Sequence, residues 1–175
     1  MEGEVMEAYH CSHPGERNVM VAIDEGEYSH YALVWTLDNL RESVQKTTVL
    51  IFMAHPPANR NITFAAGLAN ARVYCPVSSN PDFVKSVEEN QNKLTAAYLE
   101  KAKEICASRG VKAETIADVG DPKEAICEAV LKYNVGLLIM GERGLGKIKR
   151  AILGSVSSYC LQYAKCPVLV VKKQQ

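Results

Sequence analysis

No run of about 18 apolar residues occurs in the 175-residue chain, so no segment is long enough to cross a bilayer as a helix. No C-x-x-C pair is present either. The six cysteines stand at positions 11, 75, 106, 127, 160 and 166, none with a histidine at a metal-ligand interval, which excludes the usual zinc and dithiol motifs. Cys106, Cys127 and Cys160 fall within apolar helical patterns and read as small buried hydrophobes. Net charge is also missing: 20 Lys and Arg balance 20 Asp and Glu. The molecule therefore has no overall field to attract nucleic acid or an anionic membrane, and any anion site must be local. A P-loop is absent, because Gly146-Lys147 is followed by Ile148 rather than Ser or Thr. No glycine fingerprint follows the first apolar run, so the usual dinucleotide signature is absent too.

The first 17 residues hold four glutamates and no Lys or Arg before Arg17, with no apolar stretch for a signal-peptide core. We read 1–17 as a disordered acidic tail and 18–173 as one domain. The expected address is the cytoplasm, with the nucleus also compatible. Asn61-Ile62-Thr63 matches a glycosylation acceptor, which without a secretory signal has no opportunity to be used. With 47% hydrophobic residues, the domain can bury a core without disulfides or metal.

Asn18 to Ile23 is a β-branched apolar run ending in Asp24-Glu25-Gly26, the pattern of a buried strand meeting a polar turn. Ser29 is placed as the cap of a helix whose Ala32, Leu33, Thr36, Leu37 and Leu40 recur at helical spacing, ending near Arg41. Trp35 lies on this pattern as packing. Thr48 to Ala54 is a second strand, and Pro56-Pro57 opens a long polar connection to about residue 80. From Asp82 to Arg109, an inward stripe of Val84, Val87, Gln91, Leu94, Tyr98, Ala102 and Ile105 predicts a long helix closed by Gly110 in the left-handed conformation. Lys112 to Val119 is a third strand. Asp121-Pro122 then caps and starts a helix that buries Ala125, Ile126, Ala129, Val130 and Tyr133. Gly136 to Met140 is a fourth strand, and a helix from Ser155 to Tyr163 leads to a fifth at Pro167 to Lys172.

This alternation predicts a single α/β domain, an open five-stranded parallel sheet with helices on both faces. Such sheets bind ligands outside the carboxyl ends of their strands, which points to Asp24-Glu25-Gly26 and to Gly141 onward. The segment from Gly141 to Ser158 concentrates four glycines with Arg143, Lys147, Lys149 and Arg150, and runs straight into the last helix. Glycines let backbone N–H groups approach a phosphate, and a helix N-terminus carries roughly half a positive charge. Ser155 and Ser157 add hydroxyl donors. The same residues also suit a plain turn, a capped helix and a solvated basic face, and the loop alone does not separate the two readings.

Gly141, Gly144 and Gly154-Ser155 match a G-x2-G-x9-G-[ST] spacing at every position, and the segment resembles the nucleotide motif of the universal stress protein family, plant members in particular. Val21-Ala22-Ile23-Asp24, Gly120-Asp121-Pro122 and Cys166 to Lys172 also resemble landmarks of that family. The resemblance implies a Rossmann-like, adenine nucleotide alpha hydrolase-like sheet with strand order 3-2-1-4-5. It implies ATP or AMP as ligand, with a Mg or Mn ion bridging phosphates. Asp24, with backbone at Ala22 and Ile23, would serve ribose and adenine, and Ala54 would line the adenine slot. Phosphate and ribose would fall to Met140, Gly141, Arg143, Gly144, Gly154, Ser155, Val156 and Ser157. The chain departs from the pattern where Phe52-Met53-Ala54-His55 replaces the His-Val of many members, and where residues 56–80 exceed a minimal loop.

The function expected on these grounds is a nucleotide-dependent switch or interaction module in stress response, without efficient catalysis. A slow metal-dependent ATP hydrolase or phosphotransferase, with Asp24 or Glu142 orienting water, is the alternative. A receiver domain using Asp121 and Lys172 ranks lower, since it leaves the glycine loop without a role. A chaperone-like module leaves no signature. Asp24 also has a structural reading, as the residue that ends strand one and caps its turn. His55 reads as a polar loop residue near the site. The apolar terminal strand invites pairing with a second copy, and the resemblance also implies a homodimer through 167–172.

Overall fold

The structure is a computed structural model that describes residues 18–57, 63–65, 72–74, 81–143 and 153–174. The 1–17 tail, most of the 56–80 connection and the stretch 144–152, with Gly144, Lys147, Lys149 and Arg150, lie outside the described residues.

Five strands, β1 (Asn18–Ala22), β2 (Val49–His55), β5 (Ala113–Val119), β6 (Val135–Gly141) and β7 (Val168–Val171), form one sheet in the order β5-β2-β1-β6-β7. All four pairings are parallel, and the order is the expected 3-2-1-4-5. Within the long connection, Thr63–Ala65 (β3) and Arg72–Tyr74 (β4) pair antiparallel. That hairpin has no apolar alternation to announce it.

Successive strand residues enter opposite faces, and both faces of the inner strands β2, β1 and β6 are covered, which is why these read as continuous apolar runs, whereas the edge strand β5 is largely exposed and carries Glu114 and Asp118. Val19, Val21, Val49, Ile51 and Met53 join Leu33 and Leu37 of α1 (Glu27–Asn39) and Leu99 and Cys106 of α3 (Pro81–Ser108). Met20, Ala22, Leu50 and Phe52 join Ile126 and Ala129 of α4 (Pro122–Lys132) and Cys160 of α5 (Ser155–Tyr163) on the other face. Burial pushes the Cys106 thiol up to about 11 and that of Cys160 up to about 12, as suits thiols used for packing. Trp35 packs against the first core.

The chain runs outward from β1 through α1 to β2 and through α3 to β5, then returns by α4 to β6 on the opposite side of β1. The order therefore reverses between β1 and β6, the place where open parallel sheets bind ligands outside the carboxyl ends of their strands.

Gly110 follows α3 with φ of +71°, as its C-cap position requires. Asp121 caps α4 by accepting the Lys123 N–H at 2.9 Å, with Pro122 at the first helical position. Two expectations need correction. First, α1 starts at Glu27 with Gly26 at the cap position; Ser29 lies inside the first turn, buried and bonded to the preceding turn instead. α1 then stops at Asn39, and a five-residue helix, α2 (Arg41–Gln45), follows. Second, α3 buries Thr95, Leu99, Ala102 and Cys106, while Leu94 and Tyr98 remain exposed. Thr95 and Ala102 are small enough to let the helix settle with Leu99 inward, which rotates the expected stripe by one residue.

Candidate functional site

At the carboxyl edge of the sheet, Ala22 pairs with Phe52 on one side and Met140 on the other, and the Ile23 N–H donates to the Phe52 carbonyl at 2.8 Å. Ala54 stands two residues beyond Phe52 on the neighbouring strand, and Gly141 follows Met140 beside Val171. Ala22, Ile23, Ala54, Met140 and Gly141 are thus brought to one end of three adjacent strands, with Asp24 immediately above. A second cavity, of 280 Å³, lies beside this edge between the start of α1 and α3, lined by Ile23, Asp24, Gly26, Tyr98 and Ile105 among others.

Asp24 is held in place by its own turn. Its Oδ1 accepts the Gly26 N–H at 2.8 Å and the Ser29 hydroxyl at 2.7 Å, and its backbone N–H donates to Ser29 Oγ at 3.1 Å. This is the reason for a glycine at 26, since a Cβ there would fall 2.8 Å from Asp24 Oδ1. One carboxylate oxygen is committed to the turn and Oδ2 stands outside these bonds. The structural and ligand readings of Asp24 are therefore compatible on the two oxygens of one side chain.

Gly141 answers to packing. A Cβ on it would stand 2.7 Å from both the carbonyl carbon and the carbonyl oxygen of Tyr28, so the first turn of α1 rests directly on the end of β6. Beyond it the chain is closed by backbone bonds: the Glu142 N–H donates to Val171 at 3.0 Å, and the Gly154 N–H donates to the Glu142 carbonyl at 2.7 Å. The Ser157 hydroxyl, expected to face a ligand, is buried and donates at 2.9 Å to the Gly141 carbonyl. Ser157 serves the site by fixing α5 against the end of β6.

What remains open is the start of α5. Gly154 supplies no side-chain cap, the first turn contains no acid, and Ser155 is exposed. Helix α4, in contrast, starts with the Lys123 amide already occupied by Asp121. The first amides of α5 and their partial positive charge are thus presented at the sheet's carboxyl edge without an internal counter-charge. Arg143, two residues past the end of β6, stands with its guanidinium carbon 5.9 Å from the Tyr28 ring centroid. Lys173 approaches the same ring at 6.0 Å and pairs with Glu27 at 2.6 Å, and that hydrogen bond holds its ammonium above the ordinary lysine range.

A family model described as "Universal stress protein family" matches residues 16–172. The chain belongs to that family. It is 30% identical over 154 residues to universal stress protein YxiE of Bacillus subtilis, covering 88% of this chain and 97% of that one. It is also 30% identical to a universal stress protein A-like protein of Arabidopsis thaliana over 97 residues, 55% of each chain, so it spans about half of that relative. Two solved structures share the fold. One is an Arabidopsis thaliana family protein with AMP bound, at 23% identity, TM-score 0.59, and coverage of 91% and 93% of the two chains. The other is a universal stress protein in complex with cAMP, at 21% identity, TM-score 0.58, and coverage of 89% and 96%.

Of the residues that the family motif singles out, Gly141, Gly154, Ser155, Val156 and Ser157 meet at the β6–α5 junction, while Gly144 lies outside the described residues. Tyr28, Ser29 and Lys173 belong to the same neighbourhood; the sequence pattern points to Ser29 only as a helix cap and to neither of the other two. Ser29, five residues past Asp24, carried the only available signal, a short hydroxyl one turn from an acid. Nothing marked Tyr28 or Lys173, whose contacts cross more than a hundred residues.

Gly141→Ala should lower stability by about 1–3 kcal/mol through overpacking against the Tyr28 carbonyl. Urea unfolding without nucleotide checks this, and an unchanged midpoint would show that the α1–β6 contact is loose.

Proposed function

We propose that this family member binds an adenine nucleotide, ATP or AMP, across the crevice between β1 and β6, and that occupancy acts as a switch on the surfaces it offers to partners. The observation that carries this reading is the uncapped, acid-free start of α5 delivered by a glycine turn to the carboxyl edge of the sheet. Phosphates are the ligand groups that such amides accept best, and Arg143 and the Ser155 hydroxyl add donors beside them. The nucleoside end would lie along Ala22, Ile23 and Ala54, with Asp24 Oδ2 accepting ribose hydroxyls. AMP and cAMP in two proteins of the same fold support this ligand class.

The role assigned to Asp24, Gly141 and Ser157 is to orient. Asp24 is tied by Gly26 and Ser29, Gly141 seats α1, and Ser157 seats α5, so the crevice keeps its shape before ligand arrives. Among the described residues no group of three or more His, Cys, Asp or Glu is placed to hold a metal ion. A Mg or Mn ion would then enter with the phosphates, and Asp24 Oδ2 would be a carboxylate oxygen free to meet it or its water. A switch asks only for binding, and we assign the site no efficient turnover.

Mass spectrometry of the denatured purified protein should release an adenine nucleotide, and calorimetry should show ATP binding that Gly154→Val abolishes and Ser155→Ala weakens by about tenfold. An empty protein that takes up no ATP would leave the glycines as turn formers and the chain as an interaction module.

We further propose a homodimer through residues 167–172. Strand β7 ends the sheet, and Val168, Leu169 and Val170 are only half-buried in the single chain. Leu169→Lys should convert a dimer to monomer in light scattering; an unchanged dimer would place the interface elsewhere.

A further inference from the structure

We infer that the cleft between α3 and strands β2 and β5 is a second small-molecule site, separate from the nucleotide crevice, that takes a cationic amine with an apolar body. The cleft has a volume of 350 Å³ and is lined by His55, Asn92, Thr95, Leu99, Glu100 and Ala117 among others. That space holds on the order of a dozen heavy atoms at the roughly 30 Å³ that a water occupies in the liquid.

Two of its lining side chains are polar and almost fully withdrawn from solvent, His55 at 6% exposure and Thr95 at 2%. The contrast with Thr36 is informative. Thr36, equally buried in α1, returns its hydroxyl to the Ala32 carbonyl at 2.7 Å, as a buried threonine in a helix ordinarily does. The Thr95 hydroxyl makes no hydrogen bond to a described residue, and it is not sealed from the cleft. His55 reaches only the Pro56 carbonyl through Nδ1, at 3.4 Å. With the proton on Nδ1, its Nε2 presents a lone pair. A buried polar group left without a partner is destabilising, so an occupant that bonds both stabilises the fold as well as filling the space.

The chemistry of the lining selects the ligand. Imidazole Nε2 and the Glu100 carboxylate are acceptors, and the threonine oxygen accepts as readily as it donates. Glu100 is the one carboxyl group among the described lining residues, which include no Lys or Arg. An ammonium satisfies this set, whereas a carboxylate or phosphate would meet repulsion. Leu99, Ala96 and Ala117 supply the apolar wall.

The site is independent of the nucleotide crevice because strand residues alternate. Ala54 packs with the α4/α5 face, and the next residue, His55, turns to the α3 face.

Benzylamine is a suitable probe, read by the His55 ring carbon in NMR spectra of the full chain with labelled histidine. The expected result is a saturable shift that persists in excess ATP and is absent with benzoate. Affinity should fall about tenfold in Thr95→Val and in Glu100→Gln. Ala96→Leu, which fills the cleft from an exposed helix position, should block the shift while keeping the thermal midpoint. No saturable shift would overturn the inference and leave water as the partner of His55 and Thr95. An equal response to benzoate would overturn the amine class. Loss of the shift on adding ATP would assign the amine to the nucleotide crevice, and unaltered binding in Ala96→Leu would exclude the cleft.

Discussion

The first turn of α1 rests on the end of β6 with no side chain between them, since a Cβ at Gly141 would meet the Tyr28 carbonyl at 2.7 Å. Much of the site depends on that approach. It brings the Asp24-Gly26-Ser29 turn, which closes β1, next to the Glu142–Gly154 bond that closes β6. Ser157 then holds α5 to the same strand end. Three segments far apart in sequence are thereby locked at one strand edge by backbone contacts and by the Asp24, Ser29 and Ser157 side chains, before any ligand is considered.

Electrostatics completes what packing positions. With equal numbers of cations and anions the chain has no long-range attraction for a polyphosphate. Local positive potential is left at the start of α5, which has neither a side-chain cap nor the first-turn acid that α1 and α2 carry as Glu27 and Glu42. Asp121 shows how the same fold treats a helix that is meant to be closed, and the absence of any such side chain at Gly154 is the informative difference. Arg143 and Lys173 add positive charge around Tyr28, with Glu27 pairing Lys173 at the rim.

The sheet was legible because strands buried on both faces must be apolar throughout, and β1, β2, β6 and β7 stand out as such runs, while the edge strand β5 carries Glu114 and Asp118. Gly110 and Asp121-Pro122 were legible because their signals are local, a positive φ in one case and a capping geometry in the other. The failures have a common cause. Ser29 looked like a cap because its partner, Asp24, could not be known to fold back onto it. The α3 stripe was drawn through the larger apolar residues Leu94 and Tyr98, whereas the sheet accepts the face carrying Thr95 and Leu99. Gly141 read as a phosphate contact, and its packing against Tyr28 depends on a neighbour more than a hundred residues away. Spacing singled out residues that the fold brings to one strand edge, and only the fold showed that Gly141 and Ser157 pack there.

The central claim is that the open start of α5 receives the phosphates, and amide NMR during an ATP titration tests it most directly. The account predicts saturable shifts at the Ser155 and Val156 amides, with Lys123 at the capped start of α4 unmoved. Shifts confined to other parts of the chain, or equal movement at the two helix starts, would contradict it.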